Sequence, residues 1–145
     1  MTPDVNVLVA ASRSDHPHHG CALDWLNQAL ADCARGRDLH LLPMVIAGFM
    51  RLVTHPKVFP DPTPIDRAVE FVEALLDHAG VTVPTLGSEQ PVLRTLCLEH
   101  GLTGNRIPDA WIAAVVIVNG SHLVTLDRGF GGMLGTRSLT VLNPE

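Results

Sequence analysis

The chain has 145 residues, 46% hydrophobic and 17% charged, and its 15 acidic and 10 basic side chains leave a net charge of −5. That length suits a single domain, 1–145, and that composition gives a chain with a true core, so a disordered polymer is excluded. A general polyanion binder is usually basic, so charge alone does not favour a nucleic-acid surface.

In chain order, residues 5–11 are apolar and read as a strand end, a helical turn or both. A polar loop, 12–17, leads to a helix over 18–35 with Cys21, Ala22, Trp25, Leu26, Ala29 and Leu30 at helical spacing, stopped at Gly36. Residues 39–42 form a short strand, and Pro43 suits the first turn of a helix running to Val53. Four prolines make 54–64 a loop. A helix over 65–78 ends before Gly80, and 81–83 is a brief strand. Ser88 is placed to cap a helix reaching His100 and closed by Gly101. Pro108 then opens a very apolar helix to Val118, closed by Asn119-Gly120. Residues 122–126 form a strand, a Gly-rich turn follows, and 139–142 is the last strand. Alternating helices and short apolar strands indicate an α/β sandwich with a mostly parallel sheet.

Cys21, Cys33 and Cys97 are odd in number and form no C-x-x-C pair, as expected of reduced, buried thiols. The longest apolar run, 110–118, is too short to span a bilayer, and no charged n-region precedes an apolar h-region. The expectation is a cytoplasmic protein without a membrane segment.

Asp4, Asp109 and Asp127 each stand where an apolar element begins or ends. Carboxylates beside buried segments are costly to desolvate unless a positive charge offsets them, and a divalent cation is the simplest shared partner. Active sites of parallel sheets gather at the carboxyl ends of strands, where Asp4 and Asp127 fall, and Asp109 sits in a first helical turn. Setting these three aside leaves 12 acidic residues against 10 basic ones, a nearly neutral surface around an acidic pocket.

With D-V-N-V-L-V from Asp4, G-F-M-R-L-V-T-H-P-K-V-F from Gly48, G-N-R-I-P-D-A-W-I-A-A through Asp109, T-L-D-R-G-F at Asp127 and a closing L-N-P, the chain resembles PIN-domain proteins. More narrowly, it resembles the VapC toxins of bacterial VapBC toxin–antitoxin modules. The resemblance runs over almost the whole chain in the family's order. It implies a three-layer sandwich around the sheet and an endoribonuclease dependent on Mg²⁺ or Mn²⁺. It also implies a VapB-type antitoxin that blocks the site, and a homodimer. Asp4, Asp109 and Asp127 match three of the family's acidic positions. The family's usual glutamate in the helix after the second strand is replaced here by Gly48, which bears on metal affinity and rate.

In that chemistry a bound Mg²⁺ acidifies and orients a water and neutralises phosphate, and it needs few protein ligands. Asp4 and Asp109 are read as direct ligands, and Asp127 as direct or water-mediated. Asn6 and Thr125 are the supporting polar groups. Arg13, Arg51, Lys57, Arg106 and Arg128 are candidate phosphate contacts, although each is more commonly an ordinary surface charge. Individually, Asp109 equally suits a helix cap and Asp127 a turn. His16, His18 and His19 lack a fourth ligand for zinc, and Trp25 and Trp111 read as packing residues. Two alternatives stand beside a toxin nuclease: a catalytically weak module acting through antitoxin and operator binding, favoured by Gly48, and a PIN nuclease of RNA processing.

Overall fold

Within residues 1–143, which the computed structural model describes, every strand is two or three residues long and every strand pairing is parallel. β1 (Thr2–Pro3) pairs with β4 (Leu123–Thr125), and β4 pairs with β5 (Leu139–Val141). β2 (Leu39–His40) pairs with β3 (Val81–Thr82). The His40 N–H donates to the Met1 carbonyl at 2.8 Å and seats β2 beside β1. The resulting order is β3–β2–β1–β4–β5, an α/β architecture as expected. Pro144 of the closing Leu-Asn-Pro lies outside the described residues.

Six helices supply the cover that such short strands need: α1 (Val5–Ser12), α2 (His19–Cys33), α3 (Pro43–Val53), α4 (Ile65–Leu76), α5 (Gln90–His100) and α6 (Arg106–Val118). α1 packs on α2 and α3, α3 on α4, and α5 on α6. Two of these helices run through the core. Val7 to Ala11 of α1 and Ala110 with Ile112 to Val116 of α6 lie inside, and neither segment carries a charge. Such segments belong to the middle of a core, while Ile107, Trp111, Ile117 and Val118 of α6 are exposed.

Two local differences from the sequence reading have physical causes, and one reading left open there is resolved. The stretch after β1 is helical from Val5 because the Asp4 carboxylate accepts the Val5 N–H and starts the turn. Ser88 makes no capping bond; α5 begins at Gln90 with Pro91 in its first turn. α6 begins at Arg106, two residues before Pro108, since the Arg106 and Ile107 N–H groups bond back to Thr103 and Gly104. Pro108 is tolerated there because first-turn N–H groups have no intrahelical acceptor. Gly101 closes α5 at φ 56°, in the left-handed region, as its position after His100 suggested.

The sheet order places the functional crevice. From β1 the chain departs toward β2, whereas from β4 it departs toward β5. These two neighbouring strands therefore send their connections to opposite sides. Open parallel sheets form their ligand crevice at such a reversal, outside the carboxyl ends of the strands. Asp4 follows β1 directly, and Asp127 follows β4 by two residues.

Candidate active site

A groove of about 860 Å³ opens at this reversal. Asp4, Asn6 and Asp127 line its floor, Met44, Gly48, Arg51 and Leu52 of α3 one wall, and Asn105, Asp109 and Trp111 the other. Asp4, Asp109 and Asp127, 123 positions apart from first to last, are thus brought to one cavity by β1, α6 and the turn after β4.

Asp4 is 6% exposed, and both its oxygens are engaged. Oδ1 accepts the Val5 N–H at 2.7 Å, and Oδ2 accepts the Thr125 hydroxyl at 2.7 Å. Thr125 is fully buried. Its oxygen also accepts from the Asn6 amide at 3.2 Å and from the Asp127 backbone N–H at 3.0 Å. The Asn6 side-chain oxygen accepts the Leu126 N–H at 3.0 Å. Asn6 and Thr125 therefore stitch the end of β1 to the end of β4 and hold one carboxylate in one orientation. Each accepted bond leaves its carboxylate oxygen a further lone pair.

Asp127 is exposed and caps a short 3-10 helix, Arg128–Gly132, by accepting the Gly129 N–H at 2.8 Å. The turn reading of this residue therefore holds together with its place in the groove. Asp109 does not cap α6: Asn105 holds that position, without a side-chain bond. The Asp109 carboxylate faces Arg106 at 3.6 Å.

The electrostatics are those of a site short of positive charge. Burial pushes the Asp4 carboxyl above the usual aspartate range, the Thr125 and Val5 bonds pull it back, and Asp127 adds to the rise. The Asp109 carboxyl is also raised, by burial first and then by Asp4, with Arg106 opposing and Asp127 reinforcing. The N-termini of α1 and α6 favour negative charge at Asp4 and Asp109. An all-oxygen donor set with like-charge repulsion fits a hard divalent cation. Among the described residues, however, no three His, Cys, Asp or Glu side chains stand together as a ready coordination cluster. The expected three-carboxylate site is therefore not preassembled.

The basic residues separate into distinct roles. Arg13 is 8% exposed and does not line the groove. It pairs with Asp15 at 2.7 Å, bonds Thr63 and the Asp61 carbonyl, and lies 3.8 Å from the Phe59 ring centre. This corrects its reading as an RNA contact: its donors fasten the proline-rich loop to the end of α1. Arg106 donates to the Gly129 carbonyl at 2.7 Å and so ties α6 to the turn carrying Asp127. A Cβ at Gly129 would lie 2.5 Å from the Arg106 Nη1, so a side chain there would displace the end of the arginine. Arg51 is exposed on the α3 wall of the groove, while Lys57 and Arg128 are exposed outside the groove lining.

Gly48 does face the groove, where the family's glutamate was expected. A Cβ at this position would meet the Val5 Cγ2 at 2.9 Å, so the bare glycine admits a β-branched neighbour on α1. Trp111 and Glu89 were not anticipated as site residues. Trp111 is 36% exposed and lines the groove, and its indole N–H donates to buried Glu89 at 2.8 Å. An aromatic two residues beyond Asp109 was the available signal; nothing in S-E-Q marked Glu89.

A family model described as the PIN domain matches residues 1–133. The chain is 36% identical to Ribonuclease VapC31 of Mycobacterium tuberculosis over 138 residues, covering 94% of each. It superposes on VapBC2 from Rickettsia felis, solved bound to a promoter DNA fragment, with a TM-score of 0.67 at 17% identity, covering 98% of each chain. FitAcB from Neisseria gonorrhoeae gives a TM-score of 0.62 at 20% identity, covering 99% of this chain and 96% of that one. At these identities the two solved structures speak for the fold alone.

Proposed function

This chain belongs to the PIN-domain family, and on that premise we propose that it is a VapC-type toxin endoribonuclease that hydrolyses RNA phosphodiester bonds and is silenced by a cognate antitoxin. The observation that carries the reading is the buried, doubly bonded Asp4 lining one groove with Asp109 and Asp127.

A divalent cation, Mg²⁺ or Mn²⁺, would be held by Asp4 and Asp109, with Asp127 direct or through water. When bound, it supplies phosphate neutralisation and an acidified water. Thr125 and Asn6 keep the Asp4 carboxylate from turning away. Arg106 holds the Asp127 turn against α6. Arg51 presents a guanidinium to a phosphate on the α3 side.

The partners follow from the same chemistry. A VapB-type antitoxin presenting a basic side chain to Asp4 and Asp109 would satisfy their charge and close the groove. A homodimer and a cytoplasmic setting complete the proposal. Among the described residues no helix is long and apolar enough to cross a membrane.

The test is cleavage of RNA by purified protein with Mg²⁺ or Mn²⁺, its loss in EDTA, and its loss in Asp4→Asn. Cleavage that survives Asp4→Asn would remove the reading. A module acting only through antitoxin and operator binding, which the missing carboxylate at Gly48 favours, predicts no cleavage under any metal.

A further inference from the structure

The groove lining has two chemical kinds of surface. Asp4, Asp109 and Asp127 are acidic, while Met44 and Leu52 on the α3 wall and Trp111 and Ile112 on the α6 wall are apolar. Phosphodiester chemistry uses only the acidic groups. In a nucleic acid the apolar surface next to each phosphate is the base. We propose that Trp111 is a stacking platform for a nucleobase of single-stranded RNA next to the scissile phosphate, with Glu89 as its positioning residue. The proposal rests on the nuclease reading of this groove.

Three observations support that occupant. Trp111 is 36% exposed although Ala110 and Ile112 beside it are buried, so it lies at the groove margin rather than in the core. Its only polar atom is already satisfied at 2.8 Å by Glu89, so a ring contact leaves no donor unpaired. Glu89 is itself 6% exposed, and its other oxygen accepts the Gly87 N–H at 2.7 Å. The indole is thereby fixed before substrate arrives, and the entropy of ordering it is not charged to binding. Aromatic faces hold bases with little sequence preference.

Trp25 and Trp111 are the chain's two tryptophans, so Trp25→Phe leaves Trp111 as the sole indole reporter. In an Asp4→Asn background, which prevents cleavage, a short RNA of mixed sequence should quench its emission. An abasic ribose-phosphate strand of equal length should not. Trp111→Leu should weaken RNA binding about 5- to 150-fold, the range of one base–aromatic stack, and Trp111→Phe should retain most of the affinity. Glu89→Gln, which keeps an acceptor for the indole N–H, should preserve quenching, and Glu89→Leu should reduce it; in the chain that retains Asp4, Glu89→Leu should raise KM more than it lowers kcat. Circular dichroism checks the fold of each variant. Undiminished RNA affinity in folded Trp111→Leu, or equal quenching by the abasic strand, would overturn the inference. So would conversion of a dimer to a monomer by Trp111→Leu in sedimentation, because the indole would then lie between two copies. Quenching by RNA without cleavage by the parent chain would overturn the nuclease reading and leave the stacking one standing.

Discussion

The floor of the groove and its α3 wall are built in opposite ways. On the floor the side chains of Asp4, Thr125 and Asn6 are bonded in series, across the 119 positions that separate Asn6 from Thr125. On the wall, position 48 carries no side chain, and Arg51 stands exposed. One side holds a carboxylate still, and the other lacks the carboxylate that resemblance to the family led one to expect. The comparison teaches that a carboxylate tied into the bonding between strands is harder to give up than one on a helix surface. The Asp4 carboxylate is part of the hydrogen bonding that joins two strands. A donor at position 48 has no such duty.

The floor's side of this comparison meets its hardest test in Asp4→Asn. RNA cleavage with Mg²⁺ should fall by at least about 100-fold, since a metal held there supplies several kcal/mol of transition-state stabilisation. Initial rates on a gel measure this, and a loss below tenfold would show that the floor is not where the cation sits.

Thr125→Val removes the hydroxyl that bonds Asp4 while keeping the shape of a β-branched side chain. Metal affinity or activity should drop about 10- to 100-fold, as for partners that orient metal ligands. Calorimetry with Mn²⁺ on the metal-free protein reads the affinity. An unchanged value would make the network a structural clasp only.

For the wall, Gly48→Glu should not simply restore a ligand. Its Cβ would crowd the stiff Val5 side chain at 2.9 Å, so the variant should lose about 1–3 kcal/mol despite gaining helix propensity worth at most about 1 kcal/mol. In Val5→Ala/Gly48→Glu the crowding is gone, and Mn²⁺ should bind more tightly than in Val5→Ala. Urea unfolding and calorimetry on the four proteins of the cycle decide. Equal affinity in a stable double variant would show that a side chain at 48 does not reach the cation.

The pH response is the smallest effect. Burial, then neighbouring carboxylates, raises the Asp109 carboxyl in the folded chain. The folded state therefore holds this proton more tightly than the unfolded state. The resulting stabilisation is complete below the unfolded value of about 3.9 and is lost as pH rises through the raised folded value. At pH 7 and without metal, Asp109→Asn should melt higher than the parent by no more than about 4 °C, because the side chain is partly exposed and screened. The advantage should vanish at pH 3. A lower melting temperature at pH 7 would show that the Arg106 ion pair outweighs burial.

Much of this protein was legible in its residues. Strand and helix identities followed from apolar period and from Gly and Pro placement: Pro43 opens α3, Gly101 closes α5, and four prolines mark the α3–α4 loop. The order of short apolar strands implied a parallel sheet, and D-V-N-V, I-P-D-A-W and T-L-D-R-G marked three aspartates for one site. The strands and helices are read by local rules of turn chemistry and hydrophobic period, while the three aspartates together are read from the resemblance to the family.

What tertiary structure decided was who faces whom. Arg13 and Arg51 are alike as residues; packing against Phe59, Asp15 and Thr63 turns one into an internal fastening, while the other borders the groove. Trp111 belongs to an apolar run by sequence. Its position on the rim of α6 and the buried Glu89 beneath its N–H place it in the groove. Gly48 shows its purpose only against Val5 of another helix. Each of these depends on a contact between residues far apart in the chain. The free energy of such a contact is set by desolvation and fit in the assembled core, which no stretch of sequence contains by itself.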